Sequence, residues 1–132
     1  MVKEKIDYKD YDGNMRSETF MFNLNEAEIS EMQLSTVGGL TGLLQRAAEA
    51  QDAPTLIKIF KEFILKSYGV KSPDGRRFEK SEELSREFSQ TEAYSKLFMR
   101  MATDADYAAR FIRKTANVPE EEQLPVPASV SN

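Results

Sequence analysis

The sequence has no cysteine and no histidine. The first absence removes disulfides, thiolate metal sites and cysteine nucleophiles. The second removes the commonest general base near neutral pH, the commonest metal ligand and every serine triad built on imidazole. Tryptophan is missing too. No window approaches the ~18 consecutive apolar residues of a membrane span. The opening MVKEKIDYKD is charged and alternating, without the apolar stretch of a secretory signal. These absences predict a cytoplasmic protein without metal or other cofactor, and leave enzyme chemistry only what carboxylates or lysines could supply.

What is present is ordinary globular material: 132 residues, 40% hydrophobic and 30% charged. That length can bury a core without disulfides or metals. One domain is expected over residues 1–116, followed by a tail at 117–132. The stretch VPEEEQLPVPASVSN holds three prolines, an acidic run and no aromatic residue, a composition that predicts disorder. Net charge is −4, from 18 basic and 22 acidic residues. Glu120, Glu121 and Glu122 supply three of those acids, so 18 bases face 19 acids elsewhere. A folded part so nearly balanced lacks the basic excess of a nucleic-acid footprint.

The predicted fold class is mainly α: an N-terminal β-hairpin, about residues 3–24, then five or six short helices and the disordered tail. Ile6 and Tyr8 alternate with charged residues, and Phe20, Phe22 and Leu24 share one face of the second run. Asp12-Gly13-Asn14 supplies the positive-φ chemistry of a tight turn. A lone hairpin is marginal in water, so its aromatic face must pack on the helices or an edge must pair with another chain. Asp10-Tyr11-Asp12-Gly13-Asn14 resembles the start of a calcium loop. However, Met15 and Met21 stand where the required Gly and Glu belong, and the run reads as a turn.

Asn25 is expected to cap a first helix with Ala27, Ile29 and Met32 on its apolar side. Thr36-Val37-Gly38-Gly39 should break it, and a second helix should follow from Leu40. Asp52 and Pro54 open a third, with a stripe of Leu56, Ile57, Phe60, Phe63, Ile64 and Tyr68 and a stop at Gly69. Ser72-Pro73-Asp74-Gly75 has the pattern of a type I turn. Ser81 is expected to start a fourth helix, Ser89 with Glu92 a fifth, and Thr103 with Asp106 a sixth.

Candidate chemistry is thin. Lys66, Lys71, Arg76, Arg77 and Lys80 cluster with few acids between them, which suits either an anion or partner contact or a solvated loop. The pairs Glu82/Glu83 and Asp104/Asp106 have helix-start positions that explain them without acid–base catalysis. Tyr94, Leu97, Phe98 and Met101 share one face of the fifth helix, and six methionines offer adaptable apolar surface.

The ordered segment Tyr68-Gly69, Ser72-Pro73-Asp74-Gly75-Arg76-Arg77-Phe78, Lys80-Ser81-Glu82-Glu83-Leu84, Phe88, Gln90-Thr91-Glu92-Ala93-Tyr94-Ser95, Leu97-Phe98-Met99, Ala102-Thr103-Asp104, Ala109, Phe111-Ile112 resembles the tail assembly chaperones of long-tailed, siphovirus-type bacteriophages. It covers about a third of the chain. Lys96, Arg100 and Arg110 depart from the pattern, being basic where acidic or small residues are expected.

The resemblance implies a protein that is not an enzyme and that binds the tape measure protein, which is kept soluble while the tail tube polymerises around it. It further implies displacement by the major tail tube protein, absence from the mature virion, action in the host cytoplasm and self-association. It also implies a longer product made by programmed frameshifting. The partner contacts it suggests here are Tyr94, Leu97, Phe98 and Met101, with Arg76 and Arg77; neither nucleic acid nor membrane is an expected partner. A different class, a permanent structural adaptor or connector of the tail or neck, stays open at this point.

Overall fold

A computed structural model describes residues 1–35 and 39–117. The predicted break at Thr36-Val37-Gly38 and the predicted tail from Val118 onward lie outside the described residues. Ten elements follow in order. They are β1 (Val2–Lys9), β2 (Met15–Phe22), α1 (Glu26–Ser35), α2 (Gly39–Glu49), α3 (Ala53–Ser67), β3 (Tyr68–Lys71), β4 (Phe78–Glu79), α4 (Glu82–Ser89), α5 (Glu92–Thr103) and α6 (Ala105–Thr115).

The expectation of a mainly α chain with one hairpin is corrected by the sheet. It is antiparallel and has four strands in the order β1-β2-β3-β4. β1 and β2 pair along their whole length, from Val2 opposite Phe22 to Lys9 opposite Met15. β3 then pairs with β2 through Met21–Gly69 and Phe22–Tyr68, and with β4 through Val70–Glu79 and Lys71–Phe78. A four-residue strand attached directly to a helix, and a two-residue strand beyond a turn, are too short for alternation to announce. They nonetheless give the first hairpin the third strand that an isolated pair needs for stability.

Gly69 marks the reason for the miss. The C-terminal pattern reads it as the left-handed stop of a helix, but no positive φ occurs there. The helix ends at Tyr68, whose backbone is already extended. A Cβ on Gly69 would lie 2.6 Å from the Phe78 ring and 2.8 Å from the Glu79 carbonyl oxygen. Glycine is present so that the Phe78 ring can cross the backbone, not so that the chain can turn.

The first turn follows its sequence. Gly13 has φ +85° and donates its amide to the Asp10 carbonyl at 3.0 Å. The Asp10 carboxylate accepts from the Asp12 and Asn14 amides and from Arg16 Nε at 2.6 Å. It is therefore a turn tie, which accounts for its acidic residue without a cation.

Helix starts are set by side-chain caps. Asn25 and Glu28 form a reciprocal capping box, each accepting from the other's amide at 2.9–3.0 Å. Asp52 and Ser81 cap α3 and α4 as expected. The next two caps sit one or two residues from their predicted places. Thr91 rather than Ser89 accepts from the Tyr94 amide, and Asp104 rather than Thr103 from the Tyr107 amide. Ser89 and Thr103 instead return their hydroxyls to carbonyls of the preceding helix.

The core lies between one sheet face and the helices. β1 and β2 send Val2, Tyr8 and Phe22 inward while Lys3, Lys5, Asp7 and Lys9 face solvent. The aromatic face of the hairpin thus packs within the chain. α3 contributes Ile59, Phe60, Phe63 and Ile64. Ile57, expected in its stripe, is 46% exposed. Phe22, Leu24, Phe88, Leu97, Met101, Phe111 and Ile112 complete the buried cluster. Burying each such side chain fully is worth about 1.5–3 kcal/mol.

Candidate functional site

α5 is the element on which the candidate residues meet. Its central ridge, Ala93, Leu97 and Met101, is turned into the core. Leu97 is 3% exposed and Met101 1%. In this fold Met101 is closed off from a partner, and Leu97 shows only as floor of the cleft against β1. Tyr94 and Phe98 lie one turn apart on one flank of that ridge and are half-buried. They extend an aromatic chain: Tyr68 stacks on Phe88 at 4.4 Å, Phe88 meets Tyr94 edge-on at 5.8 Å, and Tyr94 approaches Phe98 at 6.1 Å. Burial raises the Tyr94 and Tyr68 phenols above their ordinary pKa. Of the four apolar residues singled out by spacing, two are therefore core and two form an accessible rim. Met99, on the outer side of the same helix, is 52% exposed.

Arg76 and Arg77 sit on the β3–β4 turn. Its frame is Ser72, fully buried, whose hydroxyl donates to Asp74 at 2.7 Å and accepts from the Arg77 amide at 3.0 Å. The Gly75 amide closes the turn on the Ser72 carbonyl at 2.9 Å. That hydroxyl and the Arg76 amide hold the Asp74 carboxyl below its usual pKa. Both arginine side chains are exposed, and Arg77 pairs with Glu79 at 3.3 Å. Among the described residues no hydrogen bond or ion pair joins this turn to the aromatic rim of α5. Lys80, from the same basic cluster, is taken up by a 2.7 Å ion pair to Glu28 and stands over the Phe78 ring. Lys66 and Lys80 both line a concavity of about 570 Å³ between α3 and α4.

The opposite flank of α5 carries Lys96 and Arg100. It faces β1 across a cleft of about 430 Å³, whose apolar floor includes Ile6 and Leu97. Lys96 Nζ donates to the Asp7 carbonyl at 2.9 Å, covering one position on the free edge of β1. Arg100 lies 3.9 Å above the Tyr107 ring. A second cleft of about 340 Å³ continues from there along α6, past Arg110 to Lys114. Position-by-position reading missed this basic flank. Its signal was the spacing of Tyr107, Arg110 and Lys114 on one side of α6, joined by the two residues of α5 that depart from the family pattern.

Among the described residues no cluster of carboxylates suits a metal ion, and no helix is long and apolar enough to cross a membrane. A family model described as phage tail assembly chaperone matches residues 1–123.

The chain belongs to that family.

The match takes in the hairpin, all six helices and the acidic run, so it extends well beyond the C-terminal segment that carries the resemblance. No curated protein and no solved structure gave a significant match.

Proposed function

We propose that the protein binds the phage tape measure protein and keeps it soluble while the tail tube assembles, acting by binding and not by catalysis. The observation that carries this reading is membership of the tail assembly chaperone family over residues 1–123. The client contact is the rim of α5, with Tyr94 and Phe98 as anchors. Half-buried aromatic side chains beside a folded core suit capture of an amphipathic helix. Leu97 and Met101 support that rim from beneath, while Arg76 and Arg77 on their separate turn are available to a charged part of the same client.

Co-expression with a tape measure protein tests the proposal. The client is expected in the soluble fraction with the chain present and in the pellet without it; equal insolubility in both cultures defeats the reading. Mass spectrometry of purified particles then separates a chaperone, absent from virions, from a tail or neck component held at fixed copy number. Self-association and handover to the major tail tube protein belong to the same proposal. Light scattering across concentration and competition by tube subunits are their respective measurements.

A further inference from the structure

The cleft along α6 is unusual for a chain of net negative charge. Lys3, Arg100, Arg110 and Lys114 line it, against Glu4 alone among acids. None of the four is in an ion pair among the described residues. Lys114 stands in the last turn of α6, where the helix dipole accounts for a cation. Arg100 likewise stands in the last turn of α5, so of the arginines here Arg110 alone has no such explanation. Between them lies Tyr107, 6% exposed, which lines both this cleft and its neighbour. Its hydroxyl is buried without a partner in bonding geometry, although Glu4 approaches closely enough to act on it. A buried polar group left unmatched beside convergent cations marks a site built for an anion.

The described chain ends at the mouth of this cleft. Asn117 takes a left-handed backbone at φ 59°. Its side chain donates to Asn23 Oδ1 and the Leu24 carbonyl, and accepts from the Met1 amino group. That same amino group donates to the Lys114 carbonyl at 3.0 Å. Glu120, Glu121 and Glu122 follow three to five residues later, an extended reach of about 10–18 Å. At ~1.5 Å rise per residue, Lys114, Arg110 and Tyr107 lie roughly 5, 10 and 15 Å back along α6 from Asn117. The two lengths match, and the charges are opposite. The family match also runs to residue 123, just past the acids.

We propose that the cleft between β1, α5 and α6 is a carboxylate-binding site whose occupant is the chain's own Glu120-Glu121-Glu122 run. A tether this short gives an effective concentration in the millimolar range, so the run holds the site until a stronger acidic segment displaces it. The inference is independent of which client the α5 rim binds.

Amide NMR of the full-length chain at low salt tests it, against the variant Glu120→Gln/Glu121→Gln/Glu122→Gln. The expected result is resonance shifts at Lys3, Glu4, Arg100, Tyr107, Arg110 and Lys114, reproduced in the unsubstituted chain by about 0.5 M salt. The exposed-residue variant Arg110→Gln should in turn shift residues 119–123. Changes confined to the neighbours of each substitution overturn the proposal.

A synthetic peptide of residues 118–126 distinguishes the source of the acid. It should move the cleft resonances of the triple variant saturably. For a millimolar Kd, it should bind the unsubstituted chain about two- to tenfold more weakly, because the tethered run competes. Equal binding by the two proteins removes the intramolecular occupant and leaves a site for a partner's acids. Binding to neither removes the site and leaves only solvated charge.

Discussion

The two flanks of α5 are built from the same twelve residues and do opposite things. On one, Tyr94 and Phe98 continue a line of rings that begins with Tyr68 and Phe88. That flank is closed by packing and leaves only its rim to solvent. On the other, Lys96 and Arg100 line a cleft against β1, where Lys96 is bonded to the Asp7 carbonyl and a buried phenol lies at the back. Ring faces close a surface because each contact adds dispersion and removes apolar area from water. Like charges keep one open because full burial would strip them of water without a partner. The proposed hydrophobic capture therefore uses the first flank and the proposed anion site the second.

Four substitutions sharpen or break this comparison. Phe88→Ala removes the ring on which the aromatic flank depends and should cost about 3–5 kcal/mol in urea unfolding. A smaller loss means that the flank is not a single packed unit. Phe98→Ala, at a half-buried ring, should cost about half as much and should return co-expressed tape measure protein to the pellet. Arg100→Gln loses its stacking on Tyr107, about 0.5–1 kcal/mol, and one cation of the proposed tail site, and should leave client solubility unchanged. Loss of solubility with that variant would move the client site to the basic flank.

Tyr107→Phe should be the mildest, within about 1 kcal/mol of neutral at pH 7 and of stabilising sign, since it deletes an unpartnered buried hydroxyl. Its effect should grow with alkali. Burial first, then Glu4, pushes the Tyr107 phenol far above its ordinary range, with Arg100 and Arg110 opposing. The native state thus keeps its proton after the unfolded chain, titrating near pH ~10, has lost its own. Stability is retained below that pH and falls above it. Tyr8, held up chiefly by its hydrogen bond to Glu18, and Tyr68 and Tyr94, held up chiefly by burial, shift in the same direction. Thermal melts from pH 9 to 11 should therefore decline in both proteins, less steeply in Tyr107→Phe.

Local chemistry was legible wherever one short stretch carries its own reason. Asp10 to Asn14 makes its turn because an Asx side chain and a glycine suffice for one. Asn25, Asp52 and Ser81 cap helices because a cap needs only the three residues that follow. Spacing also identified α5 as the helix with the apolar face. It could not say which side of that face would be covered, because Leu97 and Met101 are buried by what α3, β1 and α6 bring against them.

The amino-acid sequence by itself determined the first hairpin, the six described helices and the acidic first turns of α1, α4, α5 and α6, since those depend on contacts a few residues apart. Tertiary structure alone decided three further things. β3 and β4 exist because Phe22 offers an edge to Tyr68, and Gly69 leaves room for the Phe78 ring. Ile57 is exposed while Ile59 is not, because the neighbours of α3 fix which arc of its stripe is covered. The basic cleft exists because residues almost a hundred positions apart, Glu4 and Arg100, are set beside Tyr107 by the packing of a strand on two helices. Spacing along the chain carries no record of that meeting.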